Sequence, residues 1–196
     1  MRDDEADWSG ETSMDEEDAR GAAMTALEEL DQLGLLEAGY IHGFGYVEEG
    51  ILERLKANGE SSAIPLLCLS KSGSSAVIWY CCYWEGDRQP TPTYEILIDD
   101  ATGKVVSGDI PCPNIPDIKA ASQRTEPWRA FLQVQYGLEI QAVEDLSYTG
   151  LPRFLFVIDP EDGQGELGIM VRMYSFRMDF YPCTSWEAPP NSQSAG

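Results

Sequence analysis

The spacing of hydrophobic positions changes character along the chain. Ala23, Leu27, Leu30 and Leu33 recur at helical intervals with polar residues between them. Ser13-Met14-Asp15-Glu16 ahead of them fits an S-x-x-E capping box, and Gly34 behind them is a C-terminal stop. The pattern predicts a helix over 14–33. Acids at 15–18 suit the positive end of its dipole and give it an acidic outer face. Val47, Ile51, Leu52 and Leu55 predict a second, shorter helix that stops near Asn58-Gly59. Between the two lies Gly39-Tyr40-Ile41-His42-Gly43-Phe44-Gly45-Tyr46, read as a loop with three glycines and three aromatics around the only histidine.

From about residue 63 the pattern turns to strands. A short apolar run over 64–69 carries Pro65, which suits a strand start or a sheet edge. Residues 76–84 form a β-branched and aromatic run, apolar on both faces, as an interior strand requires. Tyr94 to Ile98 and Lys104 to Val106 flank Asp99-Asp100-Ala101-Thr102-Gly103, a hairpin with glycine available for positive φ. Trp128, Phe131, Leu132 and Tyr136 share one face of a third helix over 127–136, ended by Gly137. Residues 138–146 fit helix or strand equally. Phe154 to Ile158 is a strand, and 167–181 is a long strand region interrupted by Arg172 and Arg177, so one of its faces meets solvent or carboxylates. The element order does not alternate strand and helix, which disfavours a doubly wound parallel sheet. The expected fold is α+β: two N-terminal helices and one middle helix packed on a mainly antiparallel, curved sheet.

The chain has 196 residues, enough for one domain with a sizeable core. We divide it into an acidic tail over 1–12, expected to be disordered, a single α+β domain over 13–186 and a polar C-terminal tail over 187–196, also expected to be disordered. Its formal net charge is −21. Residues 1–60 hold 17 acids against four bases, so −13 of that charge sits in the tail and the two N-terminal helices. Such a chain cannot neutralise phosphates, which argues against direct nucleic-acid binding and against an anionic membrane surface. No run approaches a membrane-spanning length. The N-terminus, Met1-Arg2-Asp3-Asp4-Glu5, lacks the apolar core of a secretion signal, so a cytoplasmic protein with reduced thiols is expected.

The raw material for catalysis is poor. One histidine, His42, excludes mechanisms that need two imidazoles. No G-x-S-x-G elbow and no phosphate loop is present. The five cysteines lack the paired spacing of a zinc site, and as strand neighbours Cys81 and Cys82 point to opposite faces. Asp159, Glu161 and Asp162 depart from the calcium-loop pattern, and Asp99-Asp100 reads as a turn. No cofactor, metal or catalytic residue is expected. A carboxylate pair of the glycosidase type stays open as an alternative.

Tyr94-Glu95-Ile96-Leu97-Ile98-Asp99-Asp100-Ala101-Thr102-Gly103-Lys104-Val105-Val106 resembles the Y-x-V-x-I-D-x-x-T-G-K-V hairpin of PepSY-like domains. It is similar to hairpins in small bacterial immunity proteins of cystatin-like or nuclear-transport-factor-like fold. The resemblance covers about 13 residues and specifies no catalytic one. It implies a helix on a curved antiparallel sheet, and binding in place of catalysis. Together with the charge, it leads to the expectation of an acidic inhibitor, most concretely an immunity protein that occludes a basic toxin. The candidate contact residues are Asp15, Glu16, Glu17, Asp18 and Glu28 on the first helix, with the aromatics Tyr40, Phe44, Tyr83 and Trp84. The alternatives are a small-molecule-binding or scaffold module of cystatin-like fold, a nucleic-acid mimic, or a carboxylate-based hydrolase. Whether the aromatics of 76–84 and Tyr94 form core or interface stays open, as does oligomeric state.

Overall fold

A computed structural model describes residues 10–41, 45–47, 49–69, 75–86, 93–112, 121–148, 151–158, 167–174 and 177–183. Among these residues are helices α1 (Glu16–Gln32), α2 (Ile51–Asn58) and α3 (Thr125–Tyr136). Two short strands, β1 (Gly39–Ile41) and β2 (Gly45–Val47), pair with each other. The main sheet holds β3 (Gly59–Leu69), β4 (Ser75–Glu85), β5 (Tyr94–Asp99), β6 (Val105–Pro111), β7 (Ile140–Asp145), β8 (Arg153–Ile158), β9 (Leu167–Met173) and β10 (Arg177–Cys183). The fold is thus α+β and mostly sheet.

All eight strands pair antiparallel, in the order β3-β4-β5-β6-β10-β9-β8-β7. That order describes two four-stranded meanders, each led in by helix and joined edge to edge where β6 meets β10. The sequence reading identified two hairpin regions but not this seam. β3 and β7 form the edges, and Pro65 lies within β3, where an edge tolerates its missing N–H.

The helices cover one face. Cys81 Sγ reaches the Ala19 carbonyl and Tyr83 donates its hydroxyl to the Arg20 carbonyl, so the odd positions of β4 face α1. α3 packs on the second meander and the seam, with Trp128 and Phe131 against Phe180. The cross-strand row Cys81, Ile96, Gly108, Phe180, Val171 and Phe154 runs through the core under this layer. All six are buried.

Several local expectations need correction. α1 begins at Glu16, and its N-cap is Asp15, whose side chain accepts from the Asp18 N–H at 2.9 Å. The Ser13 box does not form, because the Ser13 N–H donates to Asp100 instead. The stop at Gly34 holds, with φ of 69°. Val47 belongs to β2, and the second helix starts at Ile51 after Gly50 in a left-handed conformation. The glycine-aromatic segment 39–46, read as a loop, supplies the β1 and β2 strands. The ambiguous stretch 138–146 contains β7. The single long strand expected over 167–181 is two strands, β9 and β10, paired with each other.

Candidate functional site

Two surfaces carry chemistry, and they lie on opposite sides of the sheet. The first is the outer face of α1. Ala19, Ala23, Ala26, Leu27 and Leu30 are buried, and this leaves the acids outward. Asp15 is occupied as the cap. Glu16 pairs with Arg20 at 3.4 Å, one helical turn on. Glu28 pairs with Lys56 of α2 at 2.6 Å, and Glu29 accepts from Gln135 of α3 at 2.5 Å. Glu17, Asp18 and Asp31 are exposed and form no ion pair among the described residues.

The aromatics predicted beside these acids do not join them. Tyr83 is buried beneath α1, where desolvation pushes its hydroxyl pKa upward, so it belongs to the core. Trp79 and Tyr94 are buried with it. Trp84 alternates to the other face of β4 and donates its indole N–H to Glu60 of β3 at 3.1 Å. Tyr40 lies on β1 opposite Tyr46. Phe44 and His42 lie outside the described residues, as do the carboxylates of 159–162. The aromatic strand therefore divides by face: odd positions are core, and Tyr80 and Trp84 are half-buried on the helix-free side.

The second surface is that helix-free side. Cys82, Glu95, Asp109, Asp179, Arg172 and Arg153 are successive cross-strand partners over six strands, from β4 to β8. Like charges directly opposite repel, so three acids in a row require cations. Arg177, two residues before Asp179 on β10 and on the same face, supplies one. Its Nε bonds Asp109 Oδ1, and its Nη2 meets Glu95 Oε1 at 3.4 Å and the Thr93 carbonyl at 3.1 Å. Arg172 supplies the other, forming a two-pronged pair with Asp179. Burial pushes the Asp109 carboxyl above its ordinary value even against the nearby Arg177. The Asp179 hydrogen bond holds Arg172 firmly protonated. Arg172 also stacks over Tyr181 at 4.6 Å and Tyr174 at 5.2 Å.

The sequence reading put Arg172 and Arg177 on a face meeting solvent or carboxylates, which these pairs bear out, but it did not identify Glu95, Asp109 and Asp179 as the carboxylates. One signal was available: β10 alternates Arg177, Asp179 and Tyr181 with the buried Met178 and Phe180. Which strand would supply the partners was not legible, because that depends on the seam. The Asp99-Asp100 turn also hides a separation of roles. Asp99 closes the turn by accepting from the Thr102 N–H and hydroxyl at 2.8 Å and 2.7 Å. Asp100 is buried and bonds Trp79 and the start of α1.

Cys81, Cys82 and Cys183 form no disulfide among the described residues, and burial pushes the Cys81 pKa up to about 12, so it stays protonated. Among the described residues no group of three or more His, Cys, Asp or Glu is placed to hold a metal ion, and no helix is long and apolar enough to cross a membrane. No family model, curated protein or solved structure matches the chain.

Proposed function

We propose that the chain is an acidic protein-binding inhibitor that occludes a basic partner, most concretely an immunity protein against a basic toxin. The observation that carries the reading is the outer face of α1, where Glu17, Asp18 and Asp31 are exposed without an ion pair among the described residues. Unpaired carboxylates on a chain of net charge −21 attract a basic surface from a distance and raise the association rate. Pairing with a partner's Lys or Arg then fixes orientation. The same reading takes the helix layer on one face of an antiparallel sheet as a cystatin-like arrangement. It also takes the protein as cytoplasmic and assigns it no catalytic step.

The test uses the immobilised full chain and a host lysate, at low and high salt. A basic protein should be retained at low salt and released at high salt. A Glu17→Gln, Asp18→Asn, Asp31→Asn variant is expected to associate with it about tenfold more slowly. Losing acids from the first helical turn should cost no more than about 1 kcal/mol of stability per charge, which a denaturant melt checks. Retention indifferent to salt and to the variant would sink the α1 assignment. Retention of a small metabolite in place of any protein would sink the inhibitor reading.

A further inference from the structure

We propose that Arg153, framed by Tyr148, Tyr174 and Tyr181 beside Arg172, forms a carboxylate-binding site on the helix-free face of the sheet. The site lies on the side away from α1 and does not depend on the inhibitor reading.

Arg153 on β8 and Arg172 on β9 are direct cross-strand partners, a placement that sets two guanidinium groups side by side. Among the described residues one of them has an acid partner. Arg172 is held through Nε and Nη2 by both oxygens of Asp179 and stacks on two tyrosine rings. Arg153 forms no ion pair among the described residues, although the chain holds 34 acids. Its side-chain contact is the Tyr148 ring, 4.8 Å from the guanidinium carbon. On the neighbouring strand β7, Asp145 lies opposite Phe154 of the helix-side row and its carboxylate accepts from the Ser147 N–H at 2.9 Å, whereas Glu144, opposite Leu155, shares the face of Arg153, is exposed and forms no ion pair with it among the described residues. Among the described residues the planar fork of Arg153 therefore has no acceptor.

The surroundings supply the rest of a site. Arg153 lies over the Tyr148 ring, and its cross-strand partner Arg172 lies over the Tyr174 and Tyr181 rings, so the three rings flank the pair of guanidinium groups. Burial raises the Tyr174 and Tyr181 pKa values, so both hydroxyls keep their protons near neutral pH and can donate. The hydroxyls of Tyr148, Tyr174 and Tyr181 make no hydrogen bond among the described residues. The ligand chemistry follows from what is free. One open fork matches one planar carboxylate through two parallel N–H···O bonds. A phosphate dianion would call on both guanidinium groups, and the Arg172 fork is already filled by Asp179. A polyanion would be repelled by the chain as a whole.

The test is a titration of the isotope-labelled full chain followed by NMR. The probes are succinate, the blocked peptide acetyl-Gly-Asp-Gly-amide, and inorganic phosphate, all at matched ionic strength. Saturable shifts confined to Tyr148, Arg153, Arg172, Tyr174 and Tyr181 are expected with the carboxylates. Tighter binding of the peptide assigns the site to an acidic side chain on a polypeptide, and tighter binding of succinate assigns it to a small free acid. Arg153→Gln should weaken binding about ten- to hundredfold, the range of a charge-assisted hydrogen-bonded pair. Arg153→Lys keeps the charge without the fork and should fall between, which maintains the test if the glutamine variant does not fold. The absence of saturable shifts, affinity unchanged in both variants, or phosphate binding tighter than either carboxylate would overturn the proposal.

Discussion

Phe180→Ala is expected to destabilise the protein by about 3–5 kcal/mol, the range for removing a buried aromatic ring. Phe180 is fully buried at the centre of the core row. Its ring lies 5.5 Å from Phe131 in an edge-to-face arrangement and 5.3 Å from Trp128, so its loss removes contacts across both the sheet and α3. The ring rests on Gly108 of the adjoining strand, where an added Cβ would come within 2.5 Å of the Phe180 ring edge and 2.9 Å of Ile96. Gly108→Ala is accordingly expected to cost about 1–3 kcal/mol by overpacking. A typical domain has only about 5–15 kcal/mol to lose, so the first change alone removes much of the margin. Urea melts should show a lower midpoint with an unchanged slope. The two changes share one site, so Phe180→Leu combined with Gly108→Ala should cost less than the sum of the two. Simple additivity would show that ring and glycine are not in contact.

Asp100→Ala should cost about 3 kcal/mol, because it leaves one buried and two part-buried donors unmatched at once. The Asp100 carboxylate accepts from the Ser13 N–H at 2.7 Å, the Met14 N–H at 3.3 Å and the Trp79 indole at 2.8 Å. One side chain in the β5–β6 turn thus ties down both the approach to α1 and the end of β4. Burial alone would raise its pKa, but the Ser13, Trp79 and Met14 donors outweigh burial and hold it below its ordinary value. A depressed folded-state pKa contributes stability above the unfolded value of about 4, and that contribution disappears as pH falls through the folded value. The gap between wild type and Asp100→Ala should therefore be full at neutral pH and shrink on acidification. Melts at pH 7 and pH 3 measure it. An equal gap at both would show that the charged form is not what these donors recognise.

The elements were more legible than their neighbours. Helical spacing located α1 and α3, and the aromatic run located β4, because each signal lies within one segment. The capping residue was misplaced by two positions because Ser13 and Asp15 are both competent caps, and Asp100, 85 residues beyond Asp15, decides which is free. Tyr83 and Trp84 were predicted together because they adjoin in sequence. Strand alternation sends one into the core and the other to the opposite face. Asp109 and Asp179 escaped notice as the partners of Arg177 and Arg172, because each is an ordinary strand residue until the seam sets them in place.

That seam also orders the assembly of the molecule. Each meander pairs neighbouring segments across short connections, whereas Arg177 and Asp109 meet from 68 residues apart. Closing so long a loop costs entropy before any pairing repays it, so the two halves should organise early and join late. Until they join, β6 and β10 are open edges with unpaired backbone groups, and Phe180 has no glycine to rest on. The hazard of misassociation during refolding thus belongs to strands that the finished sheet hides, and faster closure of the seam would shorten the interval in which another chain can pair with them.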